Sequence, residues 1–228
     1  LYWFVSKLSS LSVGRVVRQR AVMTVGNMNT HGGEGPSKVR GNKPRWCELA
    51  TFNSSGKPQL LAALKCLEKR REDGVMVVAA AVQEHHAAGD PLCNLQFQTR
   101  KMVWKLNSSA ALVEGASRSA GVGVCVRTHI ESGRAQNLPI DMSPHGHPGR
   151  VAAVFVDGVF KGGLIFISLY LYHTEGFTAR NLEILTAVSA IIRRWGGAWI
   201  VGGDFNMTPA EFREGAYEWL NKLGGEFR

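Results

Sequence analysis

The stretch Val75 to Val82 reads Val-Met-Val-Val-Ala-Ala-Ala-Val, with no polar side chain at either parity. A strand sends alternate side chains to opposite faces, so this run predicts a strand buried on both. Other apolar runs of strand length follow: Ser109 to Val113, Gly121 to Arg127, Val151 to Val156, Gly163 to Tyr172, and Ala198 to Val201. Val151 to Val156 and Gly163 to Tyr172 flank Asp157-Gly158, which predicts a hairpin. Helical patterns lie between these runs. Pro58 to Arg71 puts Leu60, Leu61, Leu64 and Leu67 on one stripe, and Asn181 to Trp195 does the same with Ile184, Leu185, Val188, Ile191, Ile192 and Trp195. Thr208, Pro209 and Glu211 stand as N-cap, N1 and N3 of a further helix, a capping box. Helices packed outside sheets, with a strand-rich middle, predict a layered α/β or α+β domain.

The chain has 228 residues, 45% of them apolar, enough for one large or two small domains with a real core. No apolar run approaches the ~20 residues of a membrane span, and no repeat of solenoid period occurs. The four cysteines (Cys47, Cys66, Cys93, Cys125) form no C-x-x-C pair, which speaks against a disulfide framework and for a reducing, intracellular setting, nuclear or cytoplasmic. A monomer is the default. The net charge of +9 is concentrated at the front: residues 1–45 hold eight basic side chains against one acid, Glu34. Such an arm suits nucleic acid, and equally a solvated tail or a remnant of targeting sequence. Residues 1–22 and 30–58, rich in Gly, Pro, Ser, Lys and Arg, read mostly as arm and loop, so we divide the chain into a basic arm, 1–20, and a domain, 21–228. Residues 1–20 lack a signal-peptide pattern, and the initial Leu1 suggests a fragment or processed product. Arg134 to Gly149 reads as a loop with three prolines; its His145-x-His147 has no third ligand nearby in sequence and makes a poor zinc site.

Polar groups recur where apolar strands end. Asn27 and Asn29 follow the short run Ala21 to Val25. Gln83 and Glu84 follow Val82, Tyr170 closes the hairpin, and Asp204 and Asn206 follow the last run. Side chains two apart on an extended backbone share a face, so Asp204 and Asn206 point together into one pocket at the strand end and Phe205 points the other way. Carboxylate and carboxamide oxygens without a Cys/His cluster suit Mg²⁺ or Mn²⁺, bound through one or two carboxylates and a substrate phosphate. Glu84 is then the best metal ligand, an Asn carbonyl adds to the shell, Asp204 activates or orients water, and Asn206 and Tyr170 hydrogen-bond a phosphate oxygen. Each residue also has an ordinary reading: Glu84 as a solvated loop residue, Asn27 and Asn29 in a turn, Tyr170 in the core, Asp204 as a helix cap.

The series Asn27-Met-Asn29, Val82-Gln-Glu84, Ser168-Leu-Tyr170 and Gly203-Asp-Phe-Asn206 resembles the endonuclease/exonuclease/phosphatase superfamily. Its Tyr motif looks like the exonuclease III and apurinic-endonuclease branch, which includes endonuclease domains of non-LTR retrotransposons. The resemblance spans roughly residues 21–212. It implies a four-layered α/β sandwich of two packed mixed sheets flanked by helices, and Mg²⁺- or Mn²⁺-dependent hydrolysis of phosphate esters, with DNA as partner. On it, Glu84 binds metal and Asn27 supports that site; Tyr170, Asp204 and Asn206 are catalytic; Asn29, Tyr170 and Asn206 contact substrate. The chain departs from the pattern in two ways. Gly26 stands where the family has Trp, and no Ser-Asp-His motif follows Asn206, so the expectation is a domain lacking its last strands. His173 and the pair His85-His86 do not replace that histidine by motif and read as loop residues. Two alternatives accompany the nuclease reading: a phosphatase or phosphodiesterase of the same fold acting on a lipid or small molecule, and an inactive fragment that at most binds nucleic acid.

Overall fold

A computed structural model describes residues 47–69, 76–86, 94–99, 103–109, 112–114, 117–128, 132–134, 149–157 and 163–221. The basic arm, Asn27, Asn29, and residues 135–148 with His145 and His147 lie outside the described residues. The elements run β1 (Cys47–Asn53), α1 (Lys57–Lys69), β2 (Met76–Gln83), β3 (Asn94–Gln98), β4 (Val103–Ser109), β5 (Leu112–Glu114), β6 (Ser117–Ser119), β7 (Val122–Arg127), β8 (Ser132–Arg134), β9 (Val151–Val156), β10 (Leu164–Tyr170), α2 (Ala179–Trp195), β11 (Ala198–Asp204) and α3 (Pro209–Asn221). They form a five-stranded sheet ordered β1-β2-β7-β4-β3, a four-stranded sheet ordered β11-β10-β9-β8, and a β5-β6 ribbon.

Both large sheets are mixed. β1 and β2 are parallel and joined by α1; β10 and β11 are parallel and joined by α2. A parallel pair needs such a crossover. The expected hairpin is present, with β9 and β10 antiparallel and Leu164 opposite Val156. Among the described residues, three helices and two mixed sheets make an α+β arrangement. Among the described residues no helix is long and apolar enough to cross a membrane.

Three apolar cores follow from strand parity. Leu60, Leu64 and Leu67 of α1 pack on Val77, Ala80 and Val82. Ala79, Ala81, Val124 and Val126 of the first sheet meet Val154, Val156, Phe166 and Ile200 of the second. Ile165, Ile167 and Val201 on the far face of the second sheet meet Ile184, Val188, Ile191 and Phe212 of α2 and α3. Each fully buried aliphatic side chain stabilises by about 1.5–3 kcal/mol relative to exposure. Gly202 lies at the contact between the sheets, where a Cβ would stand 3.3–3.4 Å from Phe166, Ala81 and Thr51.

The strand pattern differs from the sequence reading in several places, including the short strands β6 and β8, which it did not expect. Cys47–Asn53 lies in a segment read as arm and loop, yet it is β1. Leu49, Thr51 and Asn53 alternate with Ala50 and Phe52 in a short run without the apolar continuity of β2. Ser109 and Leu112 to Val113, expected in one strand, belong to two, β4 and β5, in different sheets. In Val-Trp-Lys-Leu-Asn-Ser-Ser, polar side chains interrupt the apolar ones, so β4 carries no continuous apolar signal; its partner β3 was likewise missed.

Candidate active site at the shared end of the two sheets

The parallel pairs decide where the polar groups meet. In a parallel pair both strands finish at the same end. Asn53 pairs with Gln83 in the first sheet, and Tyr170 pairs with Asp204 in the second. By parity Asn53, Gln83, Tyr170 and Asp204 occupy the faces that look at the other sheet, continuing the rows Thr51, Ala81, Ser168 and Gly202. Hydrogen bonds pin the two ends together. Gln83 Nε2 donates to Ser168 Oγ at 3.0 Å, and Ser168 Oγ donates to the Val82 carbonyl at 2.9 Å. Asn53 Nδ2 donates across the sheets to Asp204 Oδ2 at 3.3 Å. The Tyr170 hydroxyl donates to Glu84 Oε1. Glu84, Tyr170 and Asp204, from distant parts of the chain, therefore form one cluster, as their joint order in the sequence suggested.

Two polar residues of the cluster sit just past their strands in left-handed backbone: Glu84 with φ 53° and Asn206 with φ 50°. Non-glycine residues in that region cost about 1–3 kcal/mol and persist where surrounding structure holds them. Glu84 is held by the Gly56 N–H, which donates to its carbonyl at 2.9 Å. Asn206 is held by its own N–H, which donates to Asp204 Oδ1 at 3.0 Å, and by Nδ2, which donates to the Leu171 carbonyl at 2.6 Å. The extended alternation expected to place Asp204 and Asn206 on one face is therefore replaced: the strand stops at Asp204 and the chain turns around its carboxylate. Phe205 does point away, buried against Phe212 with ring centroids 4.4 Å apart. The capping box is present, with Glu211 N–H donating to Thr208 Oγ1 at 3.1 Å and Thr208 N–H to Glu211 Oε2 at 2.6 Å. Asp204 is thus no cap for α3; Thr208 fills that place.

The loop after β10 is tied by Asn181, fully buried at the start of α2. Its Oδ1 accepts the Tyr172 N–H at 2.8 Å and its Nδ2 donates to the Gly176 carbonyl at 2.8 Å. Beside Asn206, between this loop and α3, a cleft of about 450 Å³ is walled in part by Phe177, Met207, Glu211 and Glu214. Glu84, Tyr170 and Asp204 do not line it, and its two carboxylates make it unfavourable to a polyanion.

Burial pushes the Asp204 carboxyl above its ordinary range. The Asn206 N–H and Asn53 amide oppose this, Glu84 adds to it, and His173 opposes it. Burial, the hydrogen bond to Glu84 and the charge of Glu84 likewise raise the Tyr170 phenol, while Arg150 acts in the opposite direction. At neutral pH the phenol is therefore a neutral donor. The Glu84 charge beside the Asp204 carboxyl disfavours its ionisation, and two neighbouring carboxylates create a place for a cation. Among the described residues no three His, Cys, Asp or Glu side chains group as a metal cage. Magnesium does not require one, since it binds through one or two carboxylates and keeps several waters. Glu84 Oε1 takes the Tyr170 hydroxyl, and no hydrogen bond engages Oε2 among the described residues. The donor set fits a hard divalent cation.

The sequence reading missed two residues of this end. Asn53 holds the Asp204 carboxylate, and its Oδ1 accepts the Ser55 N–H at 3.0 Å. Its one-dimensional signal was weak: an Asn closing a short mixed run, three residues before Gly56 and a helix. Arg150, 9% exposed, lies with its guanidinium carbon 4.6 Å from the Tyr170 ring centroid and 4.0 Å from that of Tyr172; nothing in one dimension marks it. The histidines His85, His86 and His173 lie in loops, as expected, but His85 is buried: it is 1% exposed, packs on Gly121, and sets Nε2 3.3 Å from the Val122 carbonyl. His173 is exposed. No protein-family description matches the chain, and no curated protein matches it.

Proposed function

We propose that this chain is the metal- and phosphate-binding body of a phosphodiester hydrolase of the endonuclease/exonuclease/phosphatase type, acting on DNA. The observation that carries the reading is the meeting of Glu84, Tyr170 and Asp204, two carboxylates and a neutral phenol, at the common end of two parallel strand pairs. The three apolar cores in series, with α1 on one sheet and α2 and α3 on the other, support a four-layered α/β sandwich.

On this reading Glu84 would hold Mg²⁺ or Mn²⁺, and Asn53 keeps the neighbouring Asp204 carboxylate in place. The bound ion would supply positive charge to a phosphate oxygen. Tyr170 donates its hydroxyl to Glu84 and so orients that carboxylate. Asp204, desolvated and raised above the usual carboxylate range, is the base placed to take a proton from an attacking water. Asn206, with Nδ2 on the Leu171 carbonyl, shapes the turn that aims Asp204. The basic residues of 1–45 would add sequence-independent attraction to a phosphate backbone.

The test uses the 228-residue chain, Mn²⁺ titration by electron paramagnetic resonance, and supercoiled plasmid. Glu84→Gln is expected to abolish Mn²⁺ binding. Nicking with Mg²⁺ that chelator suppresses supports the nuclease. Metal-dependent DNA binding without nicking supports a binding remnant of the same site. A wild-type chain that takes up no Mn²⁺ overturns the reading.

A further inference from the structure

We infer that Arg150 is the phosphate-contacting cation of this site, a role that rests on the proposed hydrolase reading and names its substrate contact. Arg150 immediately precedes β9, and its carbonyl accepts the Tyr170 N–H at 3.0 Å. It therefore lies across from Tyr170 as Asp204 does on the other side, and the row Arg150, Tyr170, Asp204 crosses three neighbouring strands at one end of the sheet.

The environment of the guanidinium is unusual for a buried charge. It lies over the Tyr170 and Tyr172 rings at 4.6 and 4.0 Å. Nε is buried without a hydrogen-bond partner, whereas neither Nη is in that condition. No ion pair of Arg150 occurs among the described residues. Arg180, also over Tyr172, does have one: its Nη1 lies 2.8 Å from Glu175 Oε1. Removing a cation from water without a carboxylate or hydrogen bond is expensive, and ring faces offset only part of that cost. Two carboxylates stand close by, yet Tyr170, Asn53 and the Asn206 N–H hold them instead. Cation and carboxylates are kept apart on either side of one tyrosine. A phosphate group complements that separation: one oxygen faces the carboxylate-held metal and another faces the guanidinium. The planar fork of arginine suits phosphate oxygens, and stacking on two rings fixes its orientation before the anion arrives.

The experiment follows the Arg150 Nε–H signal of ¹⁵N-labelled wild-type chain during titration with inorganic phosphate, with chloride at equal ionic strength as the control. A saturable shift with phosphate and none with chloride is expected. Arg150→Gln should weaken phosphate binding about tenfold or more, as loss of a charge-assisted contact does, and Arg150→Lys should restore part of it. Both variants should bind Mn²⁺ as wild type does. A signal that phosphate leaves unmoved, or that chloride moves equally, overturns the proposal, as does a folded Arg150→Gln chain with wild-type phosphate affinity. The wild-type titration decides the matter even where the variants fail to fold. Failure of the hydrolase reading shows separately, as absence of Mn²⁺ binding that depends on Glu84.

Discussion

Ser168→Ala should unpin the two sheets at the end where the candidate site lies. Ser168 is fully buried, donates to the Val82 carbonyl at 2.9 Å and accepts from Gln83 Nε2 at 3.0 Å. Gln83 is itself 1% exposed, and its Oε1 has only a long contact to Thr51 Oγ1 at 3.4 Å. The substitution removes one small polar atom but strands the Gln83 amide away from water. An orphaned buried donor costs about 1–3 kcal/mol, so a loss near 2 kcal/mol is expected. For a domain of this size that lowers Tm by about 4–8 °C. Urea unfolding followed by far-ultraviolet circular dichroism measures the loss. Adding Gln83→Met to Ser168→Ala removes the orphan, so the double variant should recover much of the stability, with a coupling of about 1 kcal/mol or more. Mn²⁺ affinity should fall in Ser168→Ala as well, because Glu84 and Tyr170 lie one and two residues beyond the pin. A Ser168→Ala chain within about 0.5 kcal/mol of wild type, with purely additive behaviour in the double variant, refutes the argument that this bond fixes the sheets.

Other substitutions probe the remaining parts. Asp204 has a raised folded-state pKa, so its stabilising contribution is complete below the unfolded value of 3.8 and is lost as pH rises through the folded value. Without metal, Asp204→Asn should gain stability relative to wild type as pH rises from 4 to 7, read as a growing Tm difference; a difference constant with pH contradicts this. Gly202→Val would press a branched side chain against Phe166, Ala81 and Thr51, and overpacking of this kind costs about 1–3 kcal/mol; denaturation at wild-type urea concentrations would show that the sheets can part there. Thr208→Ala breaks the capping box of α3 and should cost about 1 kcal/mol by thermal unfolding, with unchanged stability as the contrary result.

The sequence by itself determined the elements whose signal is local. β2 and β10 are apolar at nearly every position, α2 repeats at helical spacing, and the Thr208–Glu211 cap forms between residues three apart, so hydrophobic periodicity and short-range hydrogen bonds suffice to read them. Their order also placed Glu84, Tyr170 and Asp204 at strand ends. It did not reveal β1 or β4, where polar residues alternate with apolar ones and only the neighbouring strand makes the segment extended. Nor did it show that Asn206 leaves the strand, since that turn depends on the Asp204 carboxylate and the Leu171 carbonyl meeting it. Tertiary structure alone decided that Asn53 grips Asp204 over a separation of 151 residues, that Arg150 lies against Tyr170 and Tyr172, and that His85 is a core residue. The physical reason is common to these cases: two parallel pairs finish at the same end, and packing of the sheets makes neighbours of residues that no local pattern connects.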